Sequence, residues 1–135
     1  MSFKKLIKKI TLSFLIITSL TAVFAGCSDK EGGYQSVSAQ EAKKLMDESE
    51  GYIILDVRTK EEFDSGHIKG ATLIPDDQIG KLAEIMLRDK DQLIFVYCRS
   101  GRRSKNASAE LASMGYSNIK EFGGIIDWPY EVVTD

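Results

Sequence analysis

The sequence predicts a single α/β domain with a largely parallel central sheet flanked by helices. Three observations carry that reading. The runs YIILDVR (52–58) and QLIFVYC (92–98) are continuously apolar instead of alternating, as expected of strands buried on both faces. Segments of helical spacing, about 10–13 residues long, lie between and around these runs, so strand and helix alternate along the chain. Finally, 135 residues are enough for one domain with a proper core and too few for two of ordinary size.

Each element has its own local cause. In SAQEAKKLMDES (38–49), Ser38 and Glu41 stand at capping-box spacing and Ala42, Leu45 and Met46 share one face, which predicts a packing helix. After the strand at 52–58, Thr59 and Glu62 repeat the capping-box spacing before a short helix that Gly66 ends. ATLIP (71–75) reads as a further strand, and DQIGKLAEIML (77–87) as a helix facing inward through Ile79, Leu82, Ile85 and Met86. The strand at 92–98 leads into RSKNASAELASMGY (103–116), a helix with Leu111 and Met114 on its apolar side and Gly115 as its C-terminal cap. NIKEF (118–122) returns as a strand. Parallel sheets of this kind take ligands at the C-terminal ends of their strands.

The first 27 residues have a different character. Lys4, Lys5, Lys8 and Lys9 precede the uncharged stretch ITLSFLIITSLTAVFAGC (10–27), the layout of an export signal. The competing reading is an uncleaved membrane helix, against which the stretch is diluted by Ser and Thr and short for a span of about 20 residues. Its last four residues, Phe24 to Cys27, resemble the lipobox of bacterial lipoproteins, with Phe24 where Leu is usual. That resemblance implies a signal peptide over 1–26 and acylation of Cys27. A short polar tether follows, and the domain is expected over 36–135. The chain would then be exported and held by its lipid on the extracytoplasmic face of a bacterial membrane, two acyl chains sufficing for a stable anchor.

Without residues 1–26 the chain keeps 14 Lys and Arg against 20 Asp and Glu, a net charge of −6. So acidic a body argues against nucleic acid as a partner. Yet Arg99, Arg102, Arg103 and Lys105 fall within seven residues. A focused positive site on a negative protein suits a small anion. Acylation of Cys27 would leave Cys98 as the sole thiol of an exported domain, which makes it a candidate reactive thiol; a Cys27–Cys98 disulfide is the competing reading. Cys98 stands where a buried strand meets a basic loop and a helix N-terminus, surroundings that favour the thiolate. Ser100 and Gly101 allow backbone N–H groups to turn inward as an anion cradle.

These residues carry a family resemblance. LDVRTKEEFDSGHIKGATLIP (55–75), YCRSGRRS (97–104) and GGIIDW (123–128) resemble, in order, the signature segments of single-domain rhodaneses, the thiosulfate:cyanide sulfurtransferase type. The resemblance implies a rhodanese-like α/β fold, no metal and no organic cofactor. It makes Cys98 the nucleophile, which takes the outer sulfur of thiosulfate, a polysulfide or a persulfide and passes it to cyanide or a thiol. Residues 99–103 would form the donor cradle, Arg103 being the first candidate to hold the donor's oxyanion and Arg99 and Arg102 the next. Asp56 and Arg58 are expected as supporting residues, Arg58 paired with a carboxylate such as Glu62. His67 reads as part of a structural turn and Trp128 as a core or rim aromatic. Two other functions stay open. A phosphatase or arsenate reductase of related type also surrounds a cysteine with an oxyanion loop, but there Arg follows Cys by six places, where this chain has Ser104. A catalytically silent binding module is the second alternative.

Overall fold

The computed structural model describes residues 33–134. The expected signal peptide and Cys27 lie outside the described residues. Seven strands, β1 (Gln35–Ser36), β2 (Ile53–Asp56), β3 (His67–Ile68), β4 (Thr72–Leu73), β5 (Ile94–Cys98), β6 (Ile119–Gly124) and β7 (Val132–Val133), alternate with four α-helices. The helices are α1 (Ala39–Glu48), α2 (Lys60–Ser65), α3 (Ile79–Met86) and α4 (Arg102–Ser113). Five strands form one parallel sheet in the order β1-β6-β5-β2-β4, and β3 pairs antiparallel with β7. The expected fold class is the one observed.

Two apolar layers cover the sheet. Leu55, Val57, Ile94, Val96 and Cys98 face α3 and α4, where Ala83, Leu87, Ala107 and Leu111 meet them. Phe95, Tyr97 and Phe122 face the other way, onto Trp128 and the Ala39, Ala42 and Met46 face of α1. All five residues of β5 are therefore buried, which accounts for its unbroken apolar run.

The caps follow the sequence closely. Ser38 Oγ accepts the Glu41 N–H at 3.1 Å, and Thr59 with Glu62 completes a box in both directions at 3.2 and 3.0 Å. α4 ends in a Schellman motif, with Gly115 N–H donating to Ala112 O and Tyr116 N–H to Leu111 O while both Tyr116 and Leu111 are buried.

Two expectations need correction. The buried stripe of α3 is Ile79, Ala83 and the following Leu87, while Ile85 and Met86 are 64% and 43% exposed. Ile85 lies about 240° round the helix from Ile79, so the i, i+4 spacing selects Ala83 in its place. Strand pairing also starts one residue before the domain expected over 36–135, because Gln35 pairs with Lys120 and Ser36 with Glu121 of β6. Backbone pairing at the sheet edge makes this strand from two polar residues, and no apolar periodicity announces it.

Candidate active site

Cys98 is the last residue of β5, and its Sγ accepts the Gly101 N–H at 3.0 Å and lies 3.5 Å from Ser104 Oγ. The thiol is 1% exposed. Burial pushes its pKa up, but the Ser104 hydroxyl and the N–H groups of Ser104, Gly101 and Ser100 outweigh burial, and the net shift is downward. Those amides are available because α4 begins on Gly101, at φ +106°, with no side-chain cap. The first-turn N–H groups and the positive end of a 12-residue helix thus converge on the sulfur.

A second glycine makes room for this loop. β5 and β6 change register between Val96 and Cys98, which sets Cys98 opposite Gly124. A Cβ on Gly124 would lie 2.0 Å from Arg99 O and 2.5 Å from Ser100 N. Only glycine lets β6 pass so close beneath the loop. Ile126 N–H then donates to Arg99 O at 3.3 Å, tying the loop to the segment that leads to Trp128.

The arginines divide into two kinds. Arg99 and Arg102 are exposed, and neither side chain makes a hydrogen bond or ion pair among the described residues. Arg103 grips Glu62 with both guanidinium ends, at 2.7 and 2.8 Å. This hydrogen bonding holds the Glu62 carboxyl at about 2, against the opposing effect of burial, with the Thr59 N–H contributing. The same contact raises the Arg103 pKa, as does the Cys98 charge nearby.

The expected Arg58–Glu62 pair is therefore not the one that forms. Arg58 turns instead onto Asp56, at 2.6 Å from Nη2 to Oδ2, and its Nη2 also donates to Gly66 O at 2.7 Å. Asp56 is reachable two residues back on the same strand end, whereas Glu62 points from α2 toward α4. Tyr97 Oη donates to Asp56 Oδ2 at 2.6 Å and accepts the Ile68 N–H at 3.1 Å. Asp56 and Arg58 thus support the end of β5 through the residue before Cys98, and none of the hydrogen bonds among the described residues joins them to residues 99–103. His67 stacks on Phe63, 3.8 Å between ring centres, with Nδ1 2.9 Å from Phe63 O.

Two residues of the site go unassigned by sequence reasoning. Ser104 Oγ lies 2.6 Å from Glu121 Oε1, and Glu121 is 2% exposed on β6. In IKEFGG the acid alternates with Ile119 and Gly123 on one face of the strand, and nothing in that pattern separates Glu121 from the neighbouring Lys120. Ser104 is marked only by its place six residues after the cysteine.

Residues 38–129 match the Rhodanese-like domain family. The chain belongs to that family. Among curated relatives of this rhodanese-like domain, thiosulfate sulfurtransferase PspE of Escherichia coli (strain K12) is 34% identical over 73 residues, 54% of this chain and 70% of that protein. The putative sulfur carrier protein YrkF of Bacillus subtilis (strain 168) is 33% identical over 102 residues, 75% of this chain and 54% of its own length. This chain thus spans about half of the Bacillus protein. Among solved structures, a rhodanese with anions from E. coli has a TM-score of 0.59 and 31% identity over 62% of this chain and 99% of that chain. A rhodanese-like domain protein from Staphylococcus aureus has a TM-score of 0.64 and 30% identity, covering 74% of this chain and 97% of that one. The names of these two relatives refer to sulfur transfer and to sulfur carriage.

Proposed function

We propose that this rhodanese-like protein is a sulfurtransferase that moves a sulfane sulfur from thiosulfate or a polysulfide or persulfide to cyanide or a thiol, through a persulfide on Cys98. The observation that carries the reading is the Gly101 N–H 3.0 Å from Cys98 Sγ at the start of α4. In the first half-reaction the thiolate attacks the donor's outer sulfur. A new S–S bond forms as the donor's own S–S bond breaks, and for thiosulfate the electron pair leaves with sulfite. In the second, the acceptor's carbon or sulfur attacks the outer sulfur and Cys98 departs as thiolate.

Residues 99–103 serve as the donor cradle in this reading. Arg99 and Arg102 meet the incoming anion, whereas Arg103 reaches it only in competition with Glu62. The loop amides that face Sγ also stabilise negative charge on the carried sulfur. Asp56 and Arg58 act by keeping the end of β5 in place. Thiocyanate formation from thiosulfate and cyanide, measured at several concentrations of each, tests this. The expected result is parallel double-reciprocal lines and complete loss in Cys98→Ser. Absence of thiocyanate with thiosulfate and with polysulfide contradicts it.

For location, the proposal is a lipoprotein exported after removal of residues 1–26 and anchored through acylated Cys27 on the extracytoplasmic face of a bacterial membrane. Its support is the run of basic, apolar and small residues that ends at Cys27. Cys27→Ala is expected to abolish metabolic labelling by a fatty acid and release the protein from the membrane fraction; labelling that persists contradicts the anchor.

A further inference from the structure

Beneath Cys98 lies a buried carboxylate for which the reaction above has no use. Glu121 accepts three hydrogen bonds, from Ser36 Oγ at 3.0 Å, Ser104 Oγ at 2.6 Å and Gly123 N–H at 2.8 Å. Among the described residues none of the ion pairs includes it. A carboxylate buried with neutral donors alone is costly, and its charge acts strongly on the groups it touches.

That action passes through Ser104. Its hydroxyl has one proton and several claimants: Glu121 Oε1 at 2.6 Å, the carbonyls of Gly101 and Gly123 at 3.0 and 3.3 Å, and Cys98 Sγ at 3.5 Å. While Glu121 is ionised it takes that proton in a short charge-assisted bond, and Ser104 Oγ is left to accept from the Cys98 thiol. A thiolate needs the proton turned the other way. Two anions on either side of one hydroxyl cannot both be satisfied.

We propose that Glu121, acting through Ser104, is a positioning residue that restrains the Cys98 thiolate by holding the Ser104 hydroxyl proton away from the sulfur.

Other charged groups nearby do not share this chain of hydrogen bonds. On α4 these are Arg102, Arg103, Lys105 and Glu110, of which Arg103 is paired with Glu62. Tyr97 on β5 points into the opposite layer, and Lys120 on β6 bonds Gln35. β1 has no charged residue, Asp76 and Asp77 lie in the turn before α3, and α1, with its charged residues, covers the other face of the sheet.

The inference rests on Cys98 being the nucleophile, and its test uses alkylation, which needs only a thiolate. The rate of Cys98 alkylation by iodoacetamide is followed from pH 4 to 10 in the full chain and in its Glu121→Gln, Ser104→Ala, Ser104→Thr and doubly substituted Glu121→Gln/Ser104→Ala forms, with circular dichroism melts as the folding control. Glu121→Gln is expected to move the midpoint down and raise the rate at pH 6 about tenfold, since the charge that competes with the thiolate is gone. Ser104→Ala is expected to lower that rate about tenfold by removing a donor to a charged sulfur, while Ser104→Thr stays within about twofold. In the Ser104→Ala background the gain from Glu121→Gln shrinks at least about threefold. Should Glu121→Gln fail to fold, Glu121→Met, equally uncharged, carries the same expectation. A Glu121→Gln profile that superimposes on the parent's, with or without a lower melting temperature, overturns the inference, and so do strictly additive effects in the double variant. Loading with thiosulfate, read separately by mass, keeps the two readings apart: a shifted alkylation profile without any sulfur adduct supports the positioning role of Glu121 and refutes sulfur transfer.

Discussion

Glu62→Gln should weaken this protein at neutral pH and flatten its response to acid. The carboxylate completes the α2 capping box through the Thr59 N–H and holds α4 through both ends of Arg103. A fall from 4.5 to about 2 corresponds at most to about 3 kcal/mol. The carboxylate side chain is 28% exposed, so solvent screening reduces the expected contribution to about 1–2 kcal/mol. Because the folded-state value lies below the unfolded one, the contribution is complete above about 4.5 and is lost as pH falls through about 2. Urea unfolding of the full chain at pH 7, 4.5 and 3 measures it. Glu62→Gln is expected to be less stable than the parent at pH 7 by about 1–2 kcal/mol, with the gap closing toward pH 3. A gap that is absent at pH 7, or equal at all three values, would show that the Glu62 charge does not hold α2 to α4.

Three further substitutions probe the supports of the site. Gly124→Ala drives a methyl group into Arg99 O and should cost more than about 2 kcal/mol while slowing Cys98 alkylation; unchanged melting and alkylation would contradict the close approach. Tyr97→Phe strips a donor from Asp56 and an acceptor from the Ile68 N–H, an expected loss of about 1–3 kcal/mol in urea unfolding. Arg58→Met leaves Asp56 buried without its cation and should cost about 3–5 kcal/mol. Losses below about 0.5 kcal/mol in either of the last two would show that the Asp56 cluster does not hold the end of β5.

Much of the architecture was legible because local and global causes agree. Thr59 and Glu62 begin α2, Gly115 ends α4, and the unbroken run Ile94–Cys98 requires cover on both faces. Cys98 was legible for the same reason: a thiol between a buried strand and a basic loop has few structural explanations. What escaped depends on contacts distant in sequence. The choice of Asp56 over Glu62 as the partner of Arg58, and of Arg103 as the partner of Glu62, is made by how α2, α4 and the strand ends meet, and residues 41 positions apart decide it. β1 is polar and two residues long, so only its pairing with β6 reveals it. Glu121 follows Lys120 in a short strand and reads as one of two charged residues there, and its link to Cys98 needs the α4–β6 packing that brings Ser104 between them.

Whether Cys98 carries sulfur is decided by intact-mass spectrometry of the full chain after incubation with thiosulfate. A gain of one sulfur atom on the parent, absent from Cys98→Ser and discharged as thiocyanate when cyanide is added, is the predicted result. An unchanged mass with thiosulfate and again with polysulfide, on protein whose Cys98 is still alkylated by iodoacetamide, would contradict it.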